Sequence, residues 1–270
     1  MIRLGIIGCG NMGGAMLRQM LKAGVFSPEE VFVSDKNQQL LDRLREELGV
    51  QAAMDNLKAA AAPILLLSVK PQYIRQVTDE IRCTVRRDTL VLSIVTGCGL
   101  ASLAQQLDLP DGHIVRIMPN TPALVGEGVM AACRGKHVTE EEWQFTVRLI
   151  SCMGLAEEVT EEMMDAVTGL SGSSPAFVFM FLEALADAGV RAGLPRPLAQ
   201  RFAAQTVLGS AKLALETGLH PGQLKDMVTS PAGTTIEGVA ALEKGGFRYA
   251  VMDAVDAAVQ RARSLGKKEH

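Results

Sequence analysis

Short runs of Val, Ile and Leu punctuate the first half of the chain: RLGII (3–7), VFVS (31–34), PILLLSV (63–69), TLVLSIV (89–95) and HIVRI (113–117). Each is apolar without interruption instead of alternating, the mark of a strand buried on both faces of a parallel sheet. The stretches between them have helical character and are bounded by Gly, Pro or Asp, so strand and helix alternate and a doubly wound α/β domain is predicted. In HVTEEEW (137–143), Thr139 and Glu142 have capping-box spacing, which predicts a helix from there to about Cys152. After GLAEEV (154–159) strand signals cease. From Glu161 onward the pattern is helical; Phe247, Val251, Val255, Ala258, Ala262 and Leu265 recur at three- and four-residue intervals. Two domains are expected, an α/β domain over 1–158 and an all-α domain over 159–270.

Composition sharpens this division. Hydrophobic residues make up 48% of the 270 but aromatics only 4%, so core volume comes from Ala, Val, Leu, Ile and Met, which suits closely approaching helices. The segment PAFVFMFLEALADAGVRAG (175–193) is apolar on more than one face at Phe177, Phe179, Phe181 and Leu182. Its Ala184, Ala188 and Gly189 admit another backbone, and a subunit interface is expected there. Lys and Arg number 27 against 30 acids, a net charge of −3, so no positive field exists to condense on nucleic acid. The five cysteines are odd in number and lack a C-x-x-C pair, and the four histidines form no ligand pattern, which argues against disulfide or zinc frameworks. The N-terminus enters a strand directly, and apolar runs such as AFVFMFL are too short to span a bilayer. A reduced, cytoplasmic protein without membrane or metal partners is expected.

Candidate chemistry begins at LGIIGCGNMGGAM (4–16), where Gly8, Gly10 and Gly13 have G-x-G-x-x-G spacing directly after a strand and at the start of a helix. Gly8 permits the tight turn, Gly10 lets backbone approach a pyrophosphate, and Gly13 packs helix near strand. The first-turn N–H groups, including those of Asn11 and Met12, then aim at the anion. Asp35, after Ser34 at the end of the second strand, could accept from adenosine ribose hydroxyls and would repel a 2′-phosphate, whereas Lys36 beside it could neutralise one; NADH and NADPH both stay open. Lys36 could equally be a solvated lysine. Three further loops fall after strands: SVKPQ (68–72, with Val69, Lys70 and Pro71), IVTGCG (94–99) and RIMPNTPALVGEG (116–128). Lys70 reads as a cofactor contact or a surface charge, and Asn56 as a ribose contact or a helix cap. The domain is Rossmann-like.

Two hydroxyl-rich entrances interrupt the helical half. In VTSPAGTTIEG (228–238), Ser230 and Pro231 break the preceding element, Gly233 permits a positive φ, and Thr234 with Glu237 repeats the capping-box spacing. Unpaired N–H groups with the hydroxyls of Ser230, Thr234 and Thr235 form a setting that binds a small carboxylate, or else a cap serving only its own helix. In LSGSSPAF (170–177), Ser174 is expected as N-cap and Pro175 at the first helical position.

Taken in order, GIIGCGNMG, SVKPQ, RIMPNTP, GLSGSSPAF and VTSPAGTTIEGVAALE cover nearly the whole chain and closely resemble pyrroline-5-carboxylate reductase. The resemblance implies a Rossmann domain followed by a helical domain that interlocks with a second subunit, with dimers assembling into larger rings such as a decamer. It implies NADPH- or NADH-dependent reduction of the imine 1-pyrroline-5-carboxylate to L-proline. Val228, Ser230, Gly233, Thr234 and Thr235 would hold the substrate, with the Thr235 hydroxyl meeting the ring nitrogen as the catalytic group. Gly8, Gly10, Asn11, Met12, Gly13, Ser34, Asp35, Asn56, Val69, Lys70 and Pro71 would hold the cofactor. Two positions depart from the family pattern, which often has Gly where this chain has Ser174 and Ala232; Ala232 sits comfortably only at negative φ. A rival β-hydroxyacid dehydrogenase would need a general-base lysine in the helical half, and none of Lys212, Lys225, Lys244, Lys267 and Lys268 has an apolar catalytic setting. A non-catalytic dinucleotide sensor is the remaining alternative.

Overall fold

The computed structural model describes residues 1–266; the GKKEH end, with Lys267 and Lys268, lies outside the described residues beyond Gly266. Two compact units are present, Met1–Ser173 with the residues from Ala258 onward, and Ser174–Ala257.

In the first unit β1 (Leu4–Ile7), α1 (Asn11–Lys22), β2 (Val31–Ser34), α2 (Gln38–Leu48), β3 (Gln51–Ala52), α3 (Asn56–Ala60) and β4 (Ile64–Leu67) alternate strand and helix. There follow α4 (Ile74–Ile81), β5 (Leu90–Ser93), α5 (Leu100–Gln106), β6 (His113–Met118), β7 (Gly128–Arg134), α6 (Glu140–Ser151), β8 (Gly154–Glu158) and α7 (Met164–Val167). The sheet order is β3-β2-β1-β4-β5-β6-β7-β8. The first six strands are parallel, with Leu4 of β1 paired to Val31 of β2 on one side and to Ile64 of β4 on the other. The uninterrupted apolar runs have the expected cause. Leu4, Ile6, Val31, Val33 and Leu66 pack under α1, α2 and α6, while Ile7, Phe32, Leu65 and Leu67 pack under α3, α4 and α5.

Three strands escape the sequence pattern, and the sheet is not wholly parallel. β7 runs antiparallel to β6, and β8 is parallel to β7. The reason lies in burial: β8 leaves Leu155, Glu157 and Glu158 exposed, β7 is built largely from small residues, and β3 has two residues of which Gln51 is exposed. None offers a continuous β-branched run.

The expected cap at Thr139 forms as a capping box and starts α6, which ends at Ser151. Its Glu142 also reaches the His113 ring at the start of β6, with Nδ1 2.7 Å from Oε1. Burial pushes the Glu142 carboxyl upward, but bonds from the Thr139 amide, the His113 ring and the Thr139 hydroxyl outweigh it and hold the group below its usual range.

The second unit is helical: α8 (Ser174–Arg191), α9 (Arg196–Thr217), α10 (Pro221–Met227), α11 (Thr234–Lys244) and the first part of α12 (Phe247–Gly266). Its only fully buried apolar residues among those described are Ala186, Ala199 and Ala203. A Cβ on Gly189 would lie 3.1 Å from the Ala199 Cβ, so this small residue admits α9 of the same chain. Leu182, Leu185 and Val190 pack partly against these alanines, while other bulky residues of α8 and α9 point outward, with Phe179 62% and Leu215 82% exposed.

The expected start of α8 at Ser174 is not a cap. Residues Glu161–Arg191 are helical without a break, through a π-helical stretch at Thr168–Ser173. Pro175 therefore sits inside a helix, where its missing N–H leaves the carbonyl four residues earlier, that of Ser171, without its usual donor. The buried Asn120 side chain supplies one, Nδ2 donating to Ser171 O at 3.1 Å. At 31 residues this helix is also long and apolar enough by composition to cross a bilayer, contrary to the reading of the runs taken singly.

Because the Glu142 carboxyl is lowered in the folded state, its contribution is complete above the ordinary carboxylate range and lost as pH falls through the lowered value. Glu142→Gln is expected to cost about 1 kcal/mol at neutral pH and to flatten the fall of the urea midpoint between about pH 5 and 3. A variant that tracks the parent throughout that range would show the bond to be idle.

Candidate active site

The order β3-β2-β1-β4-β5-β6 reverses direction between β1 and β4, and in such sheets ligands bind beyond the carboxyl ends of the strands at that point. A cavity of about 600 Å³ opens there. Gly8, Gly10, Ser34, Asp35, Asn56, Val69 and Lys70 line it, together with Lys36, Tyr73 and Glu80. Asn11 faces an adjoining cavity that shares Gly10, whereas Met12, Gly13 and Pro71 line neither. Of the three strand-end loops, 68–72 lines this cavity, and Leu124 of 116–128 lines the adjoining one.

The glycines of the first loop differ in why they are glycine. Gly8 has φ +86°, and a Cβ there would lie 2.7 Å from the Ser68 carbonyl oxygen. A Cβ on Gly13 would lie 2.6 Å from the Gly8 oxygen, so this residue lets α1 pack on the turn. Gly10 is different: its φ of −65° suits any residue, and a Cβ would meet nothing within 4 Å. Protein packing does not require glycine at this position. The position is exposed, and Gly10 caps α1 with no side-chain acceptor for the helix amides. The loop thus has the form of a dinucleotide cradle.

The surrounding polar groups form a connected set. Asp35 Oδ2 accepts from Cys9 N at 2.8 Å and Oδ1 from Asn37 N at 2.9 Å, drawing the carboxylate back onto the loop. The Ser34 hydroxyl donates to Asn56 Oδ1 at 2.7 Å, and Asn56 Nδ2 donates to Glu80 Oε2 at 2.8 Å. The cap of α3 is Asp55, whose carboxylate accepts from Lys58 N, so Asn56 does not cap that turn and its amide faces the cavity. Burial pushes the Cys9 thiol up to about 12, with the Asp35 charge adding to it, and removes this thiol from nucleophilic chemistry. Tyr73 and Glu80 had no motif to reveal them; the only sequence cue was an aromatic two residues past Pro71.

In the second unit residues 228–233 separate α10 from α11. Gly233 N donates to Ser230 O at 3.1 Å, closing a four-residue turn with Pro231 in second place, and Ala232 in third place takes φ +56°. Positive φ after Pro marks a type II turn. Two expectations therefore move one residue toward the N-terminus. The positive φ falls on Ala232, not Gly233, and the N-cap of α11 is Gly233, with no capping box at Thr234. A Cβ on Gly233 would lie 2.3 Å from the Ser230 Oγ, the end of a side chain that can rotate away, so packing alone does not fix glycine here. Thr234 and Thr235 become the first two helical residues, exposed, at an entrance where no side chain caps the amides; Val228 is exposed on the same turn. Lys212 and Lys225 are paired with Glu216 and Asp226, and Lys244 is exposed, so no described lysine of this unit has a desolvated setting.

Known proteins share this arrangement. A family model described as pyrroline-5-carboxylate reductase dimerisation matches residues 161–265, and one described as NADP oxidoreductase, coenzyme F420-dependent, matches residues 3–97. The chain is 45% identical to the pyrroline-5-carboxylate reductase of Methanosarcina acetivorans over 98% of each chain. It is 44% identical to that of Escherichia coli over 98% of each. It superposes on the crystal structure of Plasmodium falciparum pyrroline carboxylate reductase with NADP bound at a TM-score of 0.90 and 32% identity, over 98% of each chain.

An alanine held at positive φ stores about 1 kcal/mol. Ala232→Gly removes that strain, partly offset by the greater freedom of the unfolded chain, and is expected to stabilise by a few tenths to about 1 kcal/mol in urea unfolding. A lowered midpoint would show Ala232 to be unstrained.

Proposed function

The chain belongs to the pyrroline-5-carboxylate reductase family, and from that membership we propose how its residues divide the work of reducing 1-pyrroline-5-carboxylate to L-proline with NAD(P)H, the last step of proline biosynthesis. The observation that carries the reading is Gly10, a loop position left open beside an uncapped helix start.

Residues 1–158 hold the dinucleotide and 159–270 pair subunits and hold substrate, a division supported by the two family models. In the first part Gly8, Gly10, Asn11, Met12 and Gly13 present the pyrophosphate cradle, and Ser34, Asp35, Asn56, Val69, Lys70 and Pro71 shape the crevice beside it. When bound, the reduced dinucleotide would supply a hydride to the carbon of an imine whose nitrogen solvent has already protonated; the C=N π electrons become the lone pair of the resulting amine, which solvent then protonates. A protonated imine is already electrophilic, so neither metal nor nucleophile is demanded of the protein. The chain must hold the small acid, and the α11 entrance supplies the means. Uncapped amides and the hydroxyls of Ser230, Thr234 and Thr235 bind the carboxylate beside Val228 and Gly233, and the Thr235 hydroxyl orients the ring nitrogen. The exposed apolar residues of α8, α9 and α12 support a homodimer through this part, with rings such as a decamer as its larger form. Five free cysteines suit a cytoplasmic enzyme, acting without nucleic acid or membrane partners.

Purified protein with the imine and NADPH or NADH, followed at the nicotinamide absorbance, tests the activity; binding without consumption would mark a sensor. Gly10→Ala is expected to weaken dinucleotide binding with an unchanged melting temperature, since the added Cβ meets no protein atom within 4 Å, whereas Gly13→Ala is expected to lower the melting temperature. Equal thermal losses would remove the argument for a cradle. Thr235→Ala is expected to lower kcat/KM for the imine by about 10- to 100-fold with nearly unchanged cofactor affinity. Lost cofactor affinity instead would move Thr235 out of the substrate site.

A further inference from the structure

The acid and the lysine that follow β2 point to opposite dinucleotides in the sequence, and their placement separates them. Asp35 is turned back onto the phosphate loop, each carboxylate oxygen accepting a backbone amide, from Cys9 and from Asn37. Two N–H dipoles aimed at one carboxylate damp its field toward the cavity. Lys36 is turned the other way. Its Nζ lies 3.9 Å from the Tyr73 ring centroid, and both residues line the 600 Å³ cavity with Lys70. Neither Lys36 nor Lys70 makes an ion pair among the described residues. The one opposing charge in the cavity that faces outward, Glu80, is held by the Asn56 amide. A bond from Lys36 and its charge, with a lesser effect of Lys70, hold the Tyr73 phenol below its usual range.

We propose that Lys36, seated on the Tyr73 ring, is the residue that selects a dinucleotide bearing a 2′-phosphate, and that Asp35 is a positioning residue for the phosphate loop instead of an acceptor for the ribose. The proposal rests on the crevice being the dinucleotide site. In dinucleotide folds the residues closing the second strand meet the adenosine ribose, where an acid favours a free hydroxyl and a cation favours a phosphate. A lysine already docked on an aromatic face loses less rotamer freedom on binding than a free one. A phosphate gains a charge-assisted bond from it; a hydroxyl gains only an ordinary one. Asp35, by bonding Cys9 N, fixes the loop in the form that leaves Gly10 open.

The test is equilibrium binding of NADPH and of NADH to the full-length protein, read by nicotinamide fluorescence without imine, with kcat/KM for each cofactor alongside. The parent protein is expected to bind NADPH more tightly. Lys36→Ala should weaken NADPH by about 10- to 100-fold and NADH far less, so that the ratio of the two Kd values collapses; Lys36→Glu should invert it. Tyr73→Leu should weaken NADPH by about 3- to 5-fold. Asp35→Asn should weaken both cofactors by one factor and lower the melting temperature of the unliganded protein. Tighter NADH binding by the parent, equal weakening of both by Lys36→Ala, or a loss confined to NADH in Asp35→Asn would each overturn the proposal. A parent that binds NADPH selectively but leaves the imine unreduced would sink the reductase reading alone; one that binds neither dinucleotide would sink both.

Discussion

The bond from the Cys9 amide to the Asp35 carboxylate joins the turn after β1 to the end of β2. Through it the phosphate loop takes its shape from the sheet rather than from a ligand. Parallel pairing sets where those strand ends lie, and the two-sided burial of β1, β2 and β4 makes that pairing firm. The tie holds Gly8 at positive φ beside the Ser68 carbonyl and leaves the start of α1 uncapped. A preformed loop saves a ligand the entropy of ordering it. The same tie turns the carboxylate inward, and Lys36 is left to face the cavity.

Strands covered on both sides write themselves as unbroken apolar runs, which is why β1, β2, β4, β5 and β6 were legible in the sequence while β3, β7 and β8, short, small or exposed, were not. The G-x-G-x-x-G spacing located the loop because Gly8 and Gly13 have steric reasons to be glycine, with Gly10 left open between them. Side-chain direction is not encoded that way. Nothing in the letters Asp35-Lys36 says that the acid turns to Cys9 and the base to Tyr73, since both orientations depend on partners brought in by other elements. The α11 entrance was recognisable from its hydroxyls, yet the register of its cap was off by one. In this turn Pro231 in second place is followed by positive φ in third, and Ala232 hides that conformation where glycine would have advertised it.

Helix continuity through Pro175 has a similar cause. Proline normally starts or ends a helix, and read alone it signalled a start. The π-helical stretch before it and the Asn120 amide behind it together satisfy what the ring disturbs. Asn120 Oδ1 also accepts from Val129 N at 2.9 Å, so a single buried amide binds the loop after β6, the start of β7 and the helix carbonyl. Such a group is costly to bury unless all its bonds are made, and here both ends of the amide are engaged.

The interior of the second unit rests on three alanines, while side chains as large as Phe179, Phe202 and Tyr249 stand in the open. Water disfavours that outward-facing area, which lies in the region that the dimerisation family model matches, so association, more than interior packing, is where this unit has hydrophobic free energy left to gain.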